Sequence, residues 1–341
     1  MTRRSTLRRS ATFAVAKAAA LALTATLTAG LFGGVATADA TKSSSVTSVT
    51  KEGRLWHLKV YSAAMDREIP IDVHRPVDES KPAPNLYMLV GLDGGEGTAN
   101  WHDKTKALDW LGDKPINIIE PLAGRGSYYT DWLQADPVLG MNKWRTFFTE
   151  ELPPLLDSTL GSSGVNALTG LSTSGTAVLA LAEAKPGLWK SVAAYSGCAQ
   201  TSDPMGQKFV KLAVETWASG DTKNMYGPTD SPLWAQNDPV VNAEKLRGTK
   251  LFIASGSGIP AAKDVETYMT EGGPVSGSIN LGAGMLIEAA TNTCTANLKN
   301  RLESLNIPAT YQFSDGTHNW PLWERTLPAS WPVLAEGMGV S

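Results

Sequence analysis

The sequence predicts a three-layer α/β fold, in which helices cover both faces of a mostly parallel central sheet. Three observations support this prediction. Two early segments alternate apolar and polar residues, short apolar runs follow, and segments with helical periodicity separate these runs. With 341 residues and 42% hydrophobic composition, the chain can bury one sizeable core.

Residues 1–40 have the order of a secretory signal peptide. A basic start is followed by an apolar stretch at residues 11–35, and ATADA at residues 36–40 holds two overlapping Ala-x-Ala cleavage sites. The alternative is a permanent membrane anchor, because the apolar stretch approaches the length that spans a bilayer. The cleavage sites that follow at once favour removal, so we expect a protein that is secreted or held in the cell envelope.

Residues 41–54 are polar and rich in serine and threonine, which predicts a flexible lead-in. A single globular domain is expected over residues 55–341. Alternating residues predict half-buried antiparallel strands at 56–61 and 69–76. Further strands are predicted at residues 85–90, 115–121, 165–170, 192–197, 250–256 and 308–315. Helices are predicted at residues 104–111, 144–156, 174–184 and 296–305.

Residues 199–247 interrupt this alternation with a segment rich in Pro, Gly, Trp and Met. An insertion of this length between sheet strands more often has a function than not. Its large apolar side chains are too numerous for a solvated loop, which predicts a helical insertion. They are Met205, Phe209, Leu212, Val214, Trp217, Met225, Tyr226 and Trp234.

The charge balance excludes one class of partner. The chain carries 30 Lys and Arg against 33 Asp and Glu, and positive charge clusters only in the first nine residues, so no nucleic-acid partner is expected. The sequence has no metal-ligand cluster, no phosphate loop and no dinucleotide fingerprint. We therefore expect no cofactor and no metal.

A candidate nucleophile lies in the segment ALTGLSTSGTAV at residues 167–178. A serine on a tight turn between a buried strand and a helix needs small residues two positions before and after it. Ser172 has Gly170 and Ser174 at these positions, whereas Ser174 would have the β-branched Thr176 on one side. Ser172 is therefore the better candidate, and Ser174 is expected to cap the start of the helix.

The partners of a serine nucleophile follow it along the chain in the order acid, then histidine. Of the four histidines, at positions 57, 74, 102 and 318, only His318 comes after Ser172. Spacing alone leaves the acid open. The candidates between the strand at residue 250 and His318 are Asp264, Glu266, Glu271 and Glu288.

The chain contains two cysteines, Cys198 and Cys294. In an exported protein two cysteines favour one disulfide, with two buried free thiols as the alternative. Such a bridge would hold the segment around Glu288 near the sheet edge that carries the candidate nucleophile.

Several blocks together resemble the mycolyltransferases of the antigen 85 type, which adopt the α/β-hydrolase fold. The resemblance covers residues 55–335 and rests on the Ser172 turn and on five further segments. These are YMLVGLDGG from Tyr87, GSYYTDW from Gly126, NKWRTFFTEELP from Asn142, WAQNDP from Trp234 and GTHNWPLW from Gly316.

The resemblance implies roles for particular residues. Ser172 is the nucleophile, Glu288 the acid and His318 the base, so the family pattern favours Glu288 over Asp264. The backbone amides of Leu92 and Thr173 form the oxyanion hole. Trp320 resembles an aromatic residue of the family that contacts sugar.

The chain also departs from the family pattern. The antigen 85 members hold trehalose through an Asp and an Arg, and the matching positions here are Val90 and Asp93. Contact with trehalose through these two side chains is therefore not expected. After the nucleophile the chain has Thr173-Ser174 where Met-Ala or Met-Ser is usual, a change that keeps the backbone role.

The resemblance implies a secreted acyltransferase that moves a mycolyl group from a donor similar to trehalose monomycolate to a hydroxyl acceptor. That acceptor is a trehalose ester, a cell-wall sugar or a protein, and the lipid surface of the outer envelope is a further partner. Two other hypotheses stay open. One is a carboxylesterase that uses the same residues with water as acceptor, and the other is a non-catalytic binding module of the cell wall or matrix.

Overall fold

The computed structural model describes residues 43–341, and the predicted signal peptide lies outside this range. A nine-stranded sheet runs through the described residues in the order β1-β2-β3-β5-β4-β6-β7-β8-β9. The strands are β1 (Ser45–Glu52), β2 (Leu55–Ser62), β3 (Arg67–His74), β4 (Asn85–Leu89), β5 (Asn117–Pro121), β6 (Asn166–Leu171), β7 (Trp189–Tyr195), β8 (Lys250–Gly256) and β9 (Thr310–Ser314).

Strand direction divides the sheet into two parts. The first three strands form an antiparallel meander, and β3 pairs antiparallel with β5. From β5 onward every neighbouring pair is parallel. Parallel strands bring their carboxyl ends to one edge, so the residues that follow β4, β6, β7, β8 and β9 meet there.

The helices are α1 (Trp101–Lys104), α2 (Ala107–Leu111), α3 (Trp144–Thr146), α4 (Leu152–Leu160), α5 (Thr173–Ala184), α6 (Pro204–Lys211), α7 (Thr222–Tyr226), α8 (Pro232–Gln236), α9 (Ala262–Ser304) and α10 (Trp320–Met338). The described residues also form two π-helical segments, Phe147–Glu151 and Leu212–Trp217, and one 3-10 helix, Ala243–Leu246.

Two separate hydrophobic cores lie on opposite faces of the sheet. On β4, Tyr87 and Leu89 belong to the core shared with α4, α5 and α9. Leu86 and Met88 on the same strand belong to the core shared with α1, α2 and α10. Because successive side chains of a strand point to opposite faces, helices cover the sheet on both sides. The predicted three-layer α/β architecture is confirmed.

The predicted flexible lead-in is wrong for most of its length. Residues Ser45–Glu52 form β1, which pairs antiparallel with β2 along the edge of the sheet. Its side chains are almost all exposed, so the strand is polar on both faces. Backbone pairing and the β-branched Val and Thr residues, which favour extended structure, account for a strand without an apolar face.

Two long helices were underestimated or missed. The prediction at residues 296–305 is only the end of α9, which is broken at Gly273 (φ 66°) just before Pro274. Helix α10 was not predicted, because Pro328 and Pro332 inside it are typical helix breakers. Among residues 43–341 no helix combines the length and the apolar character needed to cross a membrane.

Glycines disfavour helices, so those within α9 made this helix hard to predict, yet two of them have a packing role. A Cβ atom at Gly284 would lie 2.1 Å from the Tyr268 hydroxyl, and one at Gly277 would lie 2.5 Å from the Tyr268 carbonyl oxygen. The two parts of α9 can therefore pack closely across the break at Gly273 only because these positions lack side chains. This close packing fixes the part of α9 that carries Glu288.

Candidate active site

Ser172 lies on a strained turn between β6 and α5. Its backbone has φ 56° and ψ −126°, which is rare for a residue with a side chain. A Cβ atom at Gly170 would lie 2.5 Å from the Ser174 carbonyl oxygen, so the turn needs glycine there. The structure thus has the strand, turn and helix that the sequence predicted around Ser172. The strain aims the hydroxyl outward from the sheet edge.

Ser174 has a different role from the one expected. Its side chain is fully buried, and its hydroxyl accepts a hydrogen bond from the Leu171 amide and donates one to the Leu171 carbonyl, both at 2.9 Å. The hydroxyl therefore closes the turn on the strand side. It does not cap the amides of α5, because the tight turn brings Leu171 within reach first.

Ser172, His318 and Glu288 form one chain of hydrogen bonds. The His318 Nε2 atom lies 2.8 Å from the Ser172 hydroxyl oxygen, and His318 Nδ1 lies 2.7 Å from Glu288 Oε2. The Glu288 side chain is fully buried and that of His318 is 12% exposed. These are the distances at which an imidazole can take a serine proton while a carboxylate orients it.

The buried Glu288 carboxylate is held by several donors. Its Oε1 atom accepts hydrogen bonds from the Ser196 hydroxyl at 2.7 Å, the Ser255 hydroxyl at 3.0 Å and the Gly256 amide at 2.5 Å. Burial by itself would raise the pKa of the Glu288 carboxyl. The hydrogen bond and charge of His318, with the Ser196 and Gly256 donors, outweigh burial and lower this pKa below its ordinary value.

The sequence did not single out three side chains of this arrangement, which are Ser196, Ser255 and Trp323. Ser196 follows β7 with a positive φ of 51°, and its hydroxyl accepts a hydrogen bond from Trp323 Nε1 at 3.0 Å. The Trp323 ring also packs edge-on against the His318 ring, with centroids 5.1 Å apart. Trp323 belongs to the GTHNWPLW segment, so the motif held a signal for it, whereas Ser196 had none.

The other acidic candidates do not contact His318. Glu266 is exposed and pairs with Lys263 at 3.1 Å, and Glu271 pairs with Lys104 at 2.9 Å. Asp264 is fully buried, but its carboxylate accepts hydrogen bonds from the backbone amides of Ala261 and Thr317 and not from His318. Glu288 is the one of the four that the structure brings to the imidazole.

The two predicted oxyanion donors lie on segments beside Ser172. Thr173 is the first residue of α5, where a backbone amide has no intrahelical acceptor. Leu92 follows β4 in a turn whose neighbouring Gly91 approaches Ser172 so closely that a Cβ atom there would lie 2.9 Å from the serine Cβ. The arrangement is compatible with two amides aimed at an oxygen above Ser172, and their role stays a prediction.

An apolar pocket opens beside Ser172 and His318. The inserted segment provides one wall with Phe209, Leu212, Ala213 and Trp217, and Ile287 of α9 lies opposite. The other large residues of the insertion lie outside this pocket lining. Val214, Met225, Tyr226 and Trp234 pack with Trp132 and Val210 into a satellite core, and Met205 is 53% exposed. The insertion thus contributes some of its large residues to the pocket lining and others to a satellite core.

The three positions that match sugar-contacting residues of the family differ in their exposure. Trp320 is partly buried between Trp101 and Trp323, with ring centroids 5.6 and 5.4 Å away. Val90 is buried in the core, and Asp93 is exposed on the turn after β4. Val90 therefore cannot reach a sugar, whichever acceptor is used.

The predicted disulfide between Cys198 and Cys294 is present. It joins the loop after β7 to α9, six residues beyond Glu288, and it spans 96 residues of sequence. Loop closure of this length restricts the unfolded chain by about 4–5 kcal/mol in the simple entropy model.

Reduction of this disulfide is expected to lower both stability and turnover, because the bridge anchors the part of α9 that carries Glu288. The melting temperature and ester turnover, each measured with and without reductant, check this. The variant Cys198→Ser/Cys294→Ser serves as control and should be insensitive to reductant. Wild-type turnover in that variant would contradict a role of the bridge in positioning Glu288.

Comparison with known proteins identifies relatives over nearly the whole domain. The family model described as putative esterase matches residues 62–334. The diacylglycerol acyltransferase/mycolyltransferase Ag85B of Mycobacterium intracellulare is 30% identical over 326 residues, which is 92% of this chain and 90% of the relative. Ag85B of Mycobacterium avium is 30% identical over 338 residues, with 95% and 93% covered.

Solved structures share the fold at lower identity. MPT51 (FbpC1) of Mycobacterium tuberculosis superimposes with a TM-score of 0.68 at 22% identity, over 84% of this chain and 100% of that chain. An S-formylglutathione hydrolase from Agrobacterium tumefaciens gives a TM-score of 0.60 at 16% identity, over 86% of this chain and 99% of that chain.

Proposed function

The chain belongs to the putative esterase family and to the antigen 85 mycolyltransferases, and from this premise we propose that it is a secreted serine acyltransferase. It moves a mycolyl or other long acyl group from a glycolipid similar to trehalose monomycolate to a hydroxyl acceptor. The observation that carries the proposal is the hydrogen-bonded chain from Ser172 through His318 to Glu288, at the mouth of an apolar pocket.

In the first half-reaction the Ser172 oxygen attacks the ester carbonyl carbon while His318 Nε2 takes the serine proton. Negative charge develops on the carbonyl oxygen, where the amides of Leu92 and Thr173 stabilise it. The tetrahedral intermediate then collapses, and His318 gives the proton to the departing sugar oxygen. The product is an acyl ester on Ser172 and a free sugar.

In the second half-reaction an acceptor hydroxyl enters in place of the sugar. His318 takes its proton, the acceptor oxygen attacks the acyl carbon, and the proton returns to Ser172 as the new ester leaves. Glu288 stays ionised throughout, in keeping with its lowered pKa, and stabilises the imidazolium in both halves. One ester bond is exchanged for another, so the enzyme needs no energy source.

The apolar pocket is proposed to hold the acyl chain. Leu212→Ser and Trp217→Ser should each lower kcat/KM for long-chain esters about tenfold, since each buried methylene contributes about 0.8 kcal/mol and 1.4 kcal/mol is a factor of ten. Acetyl esters, which do not reach the pocket wall, should be turned over as by the wild type. The measurement is a comparison of kcat/KM across acyl lengths in variants with an unchanged melting temperature.

Met205→Ser is the matched control, because Met205 lies in the same insertion but is exposed and outside the pocket lining. It should leave both chain lengths unaffected. Equal losses for long and short esters in every stable pocket variant would mean that the insertion supports the geometry of the catalytic residues and does not bind the chain.

The alternative function is a carboxylesterase, which the match to the putative esterase family supports. It shares the first half-reaction and differs only in using water as acceptor. The test is product analysis by mass spectrometry after incubation with a mycolyl donor, in the presence of sugar or protein acceptors. Diversion of the acyl group to an added acceptor supports the transferase, and free acid at every acceptor concentration supports the esterase.

A further inference from the structure

We propose that Asp264 and Arg325 act as positioning residues that hold the loop carrying His318 in register with Ser172. This inference deepens the proposed function and rests on it. Asp264 lies in the first turn of α9 and Arg325 lies on α10, so the pair connects two helices that contact the loop at residues 315–319. Neither residue touches the reacting atoms.

Asp264 contacts the loop directly. Its side chain is fully buried, and its Oδ2 atom accepts hydrogen bonds from the Ala261 amide at 2.9 Å and the Thr317 amide at 3.2 Å. Thr317 immediately precedes His318. The carboxylate thus fixes the peptide unit next to the one that carries the imidazole.

Arg325 holds the loop from the other side. Its Nη2 atom donates a hydrogen bond to the Asp315 carbonyl oxygen, and its Nη1 atom lies 3.8 Å from Asp264 Oδ1. The guanidinium packs directly on Gly316, where φ is 151° and a Cβ atom would lie 2.3 Å from Nη2. The positive φ favours glycine at this position, and the missing side chain leaves room for the guanidinium against the loop backbone.

Other hydrogen bonds hold the loop to the segment after β8 and to α9. The Gly316 amide donates to the Ile259 carbonyl at 2.7 Å, and the Gly258 amide donates to the Gly316 carbonyl at 2.9 Å. The His318 amide donates to the Gly284 carbonyl at 3.1 Å, and the Tyr268 hydroxyl donates to the His318 carbonyl at 3.2 Å. Both partners belong to α9, which also carries Glu288. Trp323 of α10 packs on the His318 ring, and the Asp264–Arg325 pair adds a polar contact that joins α9, the loop and α10.

A purely structural role explains this pair poorly. Burying a carboxylate lowers the stability of the fold unless both of its oxygens accept hydrogen bonds. Asp264 Oδ1 has no hydrogen-bond partner among the described residues. The Arg325 side chain is 35% exposed and its Nη1 atom lies 3.8 Å from Asp264 Oδ1, and an ion pair of this kind adds little to stability. A charge kept beneath the loop therefore points to geometry at His318, where a shift of about 1 Å can lower a rate by a factor of about 100.

The test compares Asp264→Ala, Asp264→Asn, Arg325→Met and Arg325→Lys with the wild type. Glu266→Gln is the matched control, because Glu266 lies on the same part of α9 but is exposed. The rate at which a serine-directed phosphonate labels Ser172 reports the reactivity of the serine and histidine. The far-downfield proton signal of the bond between His318 Nδ1 and Glu288 reports its geometry, which a stability effect alone would not change.

We expect Asp264→Ala to slow labelling and turnover about 10- to 100-fold with little change in KM, and to broaden or remove the downfield signal. Arg325→Met should slow labelling and turnover less than Asp264→Ala does. Arg325→Lys should restore most of the rate lost in Arg325→Met, and Glu266→Gln should react at the wild-type rate. If Asp264→Ala does not fold, the labelling rates of Arg325→Met and Arg325→Lys test the positioning role by themselves.

Folded variants that are labelled at the wild-type rate, or that lose only thermal stability, would overturn the inference. Failure of the phosphonate to label the wild type would instead count against the proposed function. The two failures can therefore be distinguished within one experiment.

Discussion

Ser172→Ala is expected to abolish acyl transfer, with a loss of at least about 10³-fold in kcat, while the protein stays folded. The substitution removes only the hydroxyl that would attack the ester. Alanine keeps the small side chain that the turn requires, so stability should stay within about 1 kcal/mol of the wild type. Turnover of a chromogenic ester and the melting temperature of the variant are the two measurements.

Ser174→Ala is the control for this prediction. Its hydroxyl makes two hydrogen bonds to Leu171 in the buried turn, so its loss should destabilise the protein by about 1–2 kcal/mol. The folded fraction should remain active. Turnover that survives in Ser172→Ala and disappears in Ser174→Ala would show that the nucleophile was assigned to the wrong serine.

Glu288→Gln is expected to lower kcat by about 10³- to 10⁴-fold, as replacing the acid by its amide does in serine proteases with the same arrangement of side chains. An amide nitrogen at the Oε2 position would face His318 Nδ1 as a donor and favour the wrong tautomer of the imidazole. At the Oε1 position the amide nitrogen would face the three groups that now donate hydrogen bonds to the carboxylate, and a donor cannot accept them. Either orientation disrupts the arrangement.

Asp264→Asn should lower turnover far less, by about tenfold or less, because an amide oxygen can still accept the Thr317 amide. The comparison uses the same ester and variants matched for folded fraction. A larger loss in Asp264→Asn than in Glu288→Gln would contradict the assignment of the acid.

The pH dependence of stability follows from the lowered pKa of Glu288. A group whose pKa is lower in the folded state stabilises the protein above its unfolded pKa, and this contribution is lost as the pH falls through the folded pKa. The contribution of Glu288 is therefore complete at neutral pH and disappears only under acid conditions.

The sequence identified the parts of the site that local chemistry determines. Ser172 could be chosen over Ser174 because a tight turn excludes the β-branched Thr176, and His318 because it is the single histidine after the nucleophile. Glu288 could not be separated from three other acids by spacing, because the glycines of α9 and Pro274 concealed the helix that carries it. The resemblance to a known family supplied that choice.

Other features depend on contacts between distant segments. Ser196 and Trp323 meet Glu288 and His318 only after β7, α9 and α10 have packed together. Helix α10 was not predicted, and its packing against β7 and β8 keeps it continuous through Pro328 and Pro332. No local pattern around Ser196 or along α10 contains that information, although Trp323 lies within the GTHNWPLW segment.

The central claim is a covalent acyl intermediate on Ser172 that is passed to a hydroxyl acceptor. It is tested most directly by mass spectrometry of the protein, rapidly quenched during turnover of a long-chain ester, followed by peptide mapping. We predict an added mass equal to the acyl group, located on Ser172, that disappears faster when a sugar acceptor is added and reappears as an ester of that sugar. Turnover with no acyl adduct at any time, or an adduct on another residue, would contradict the account.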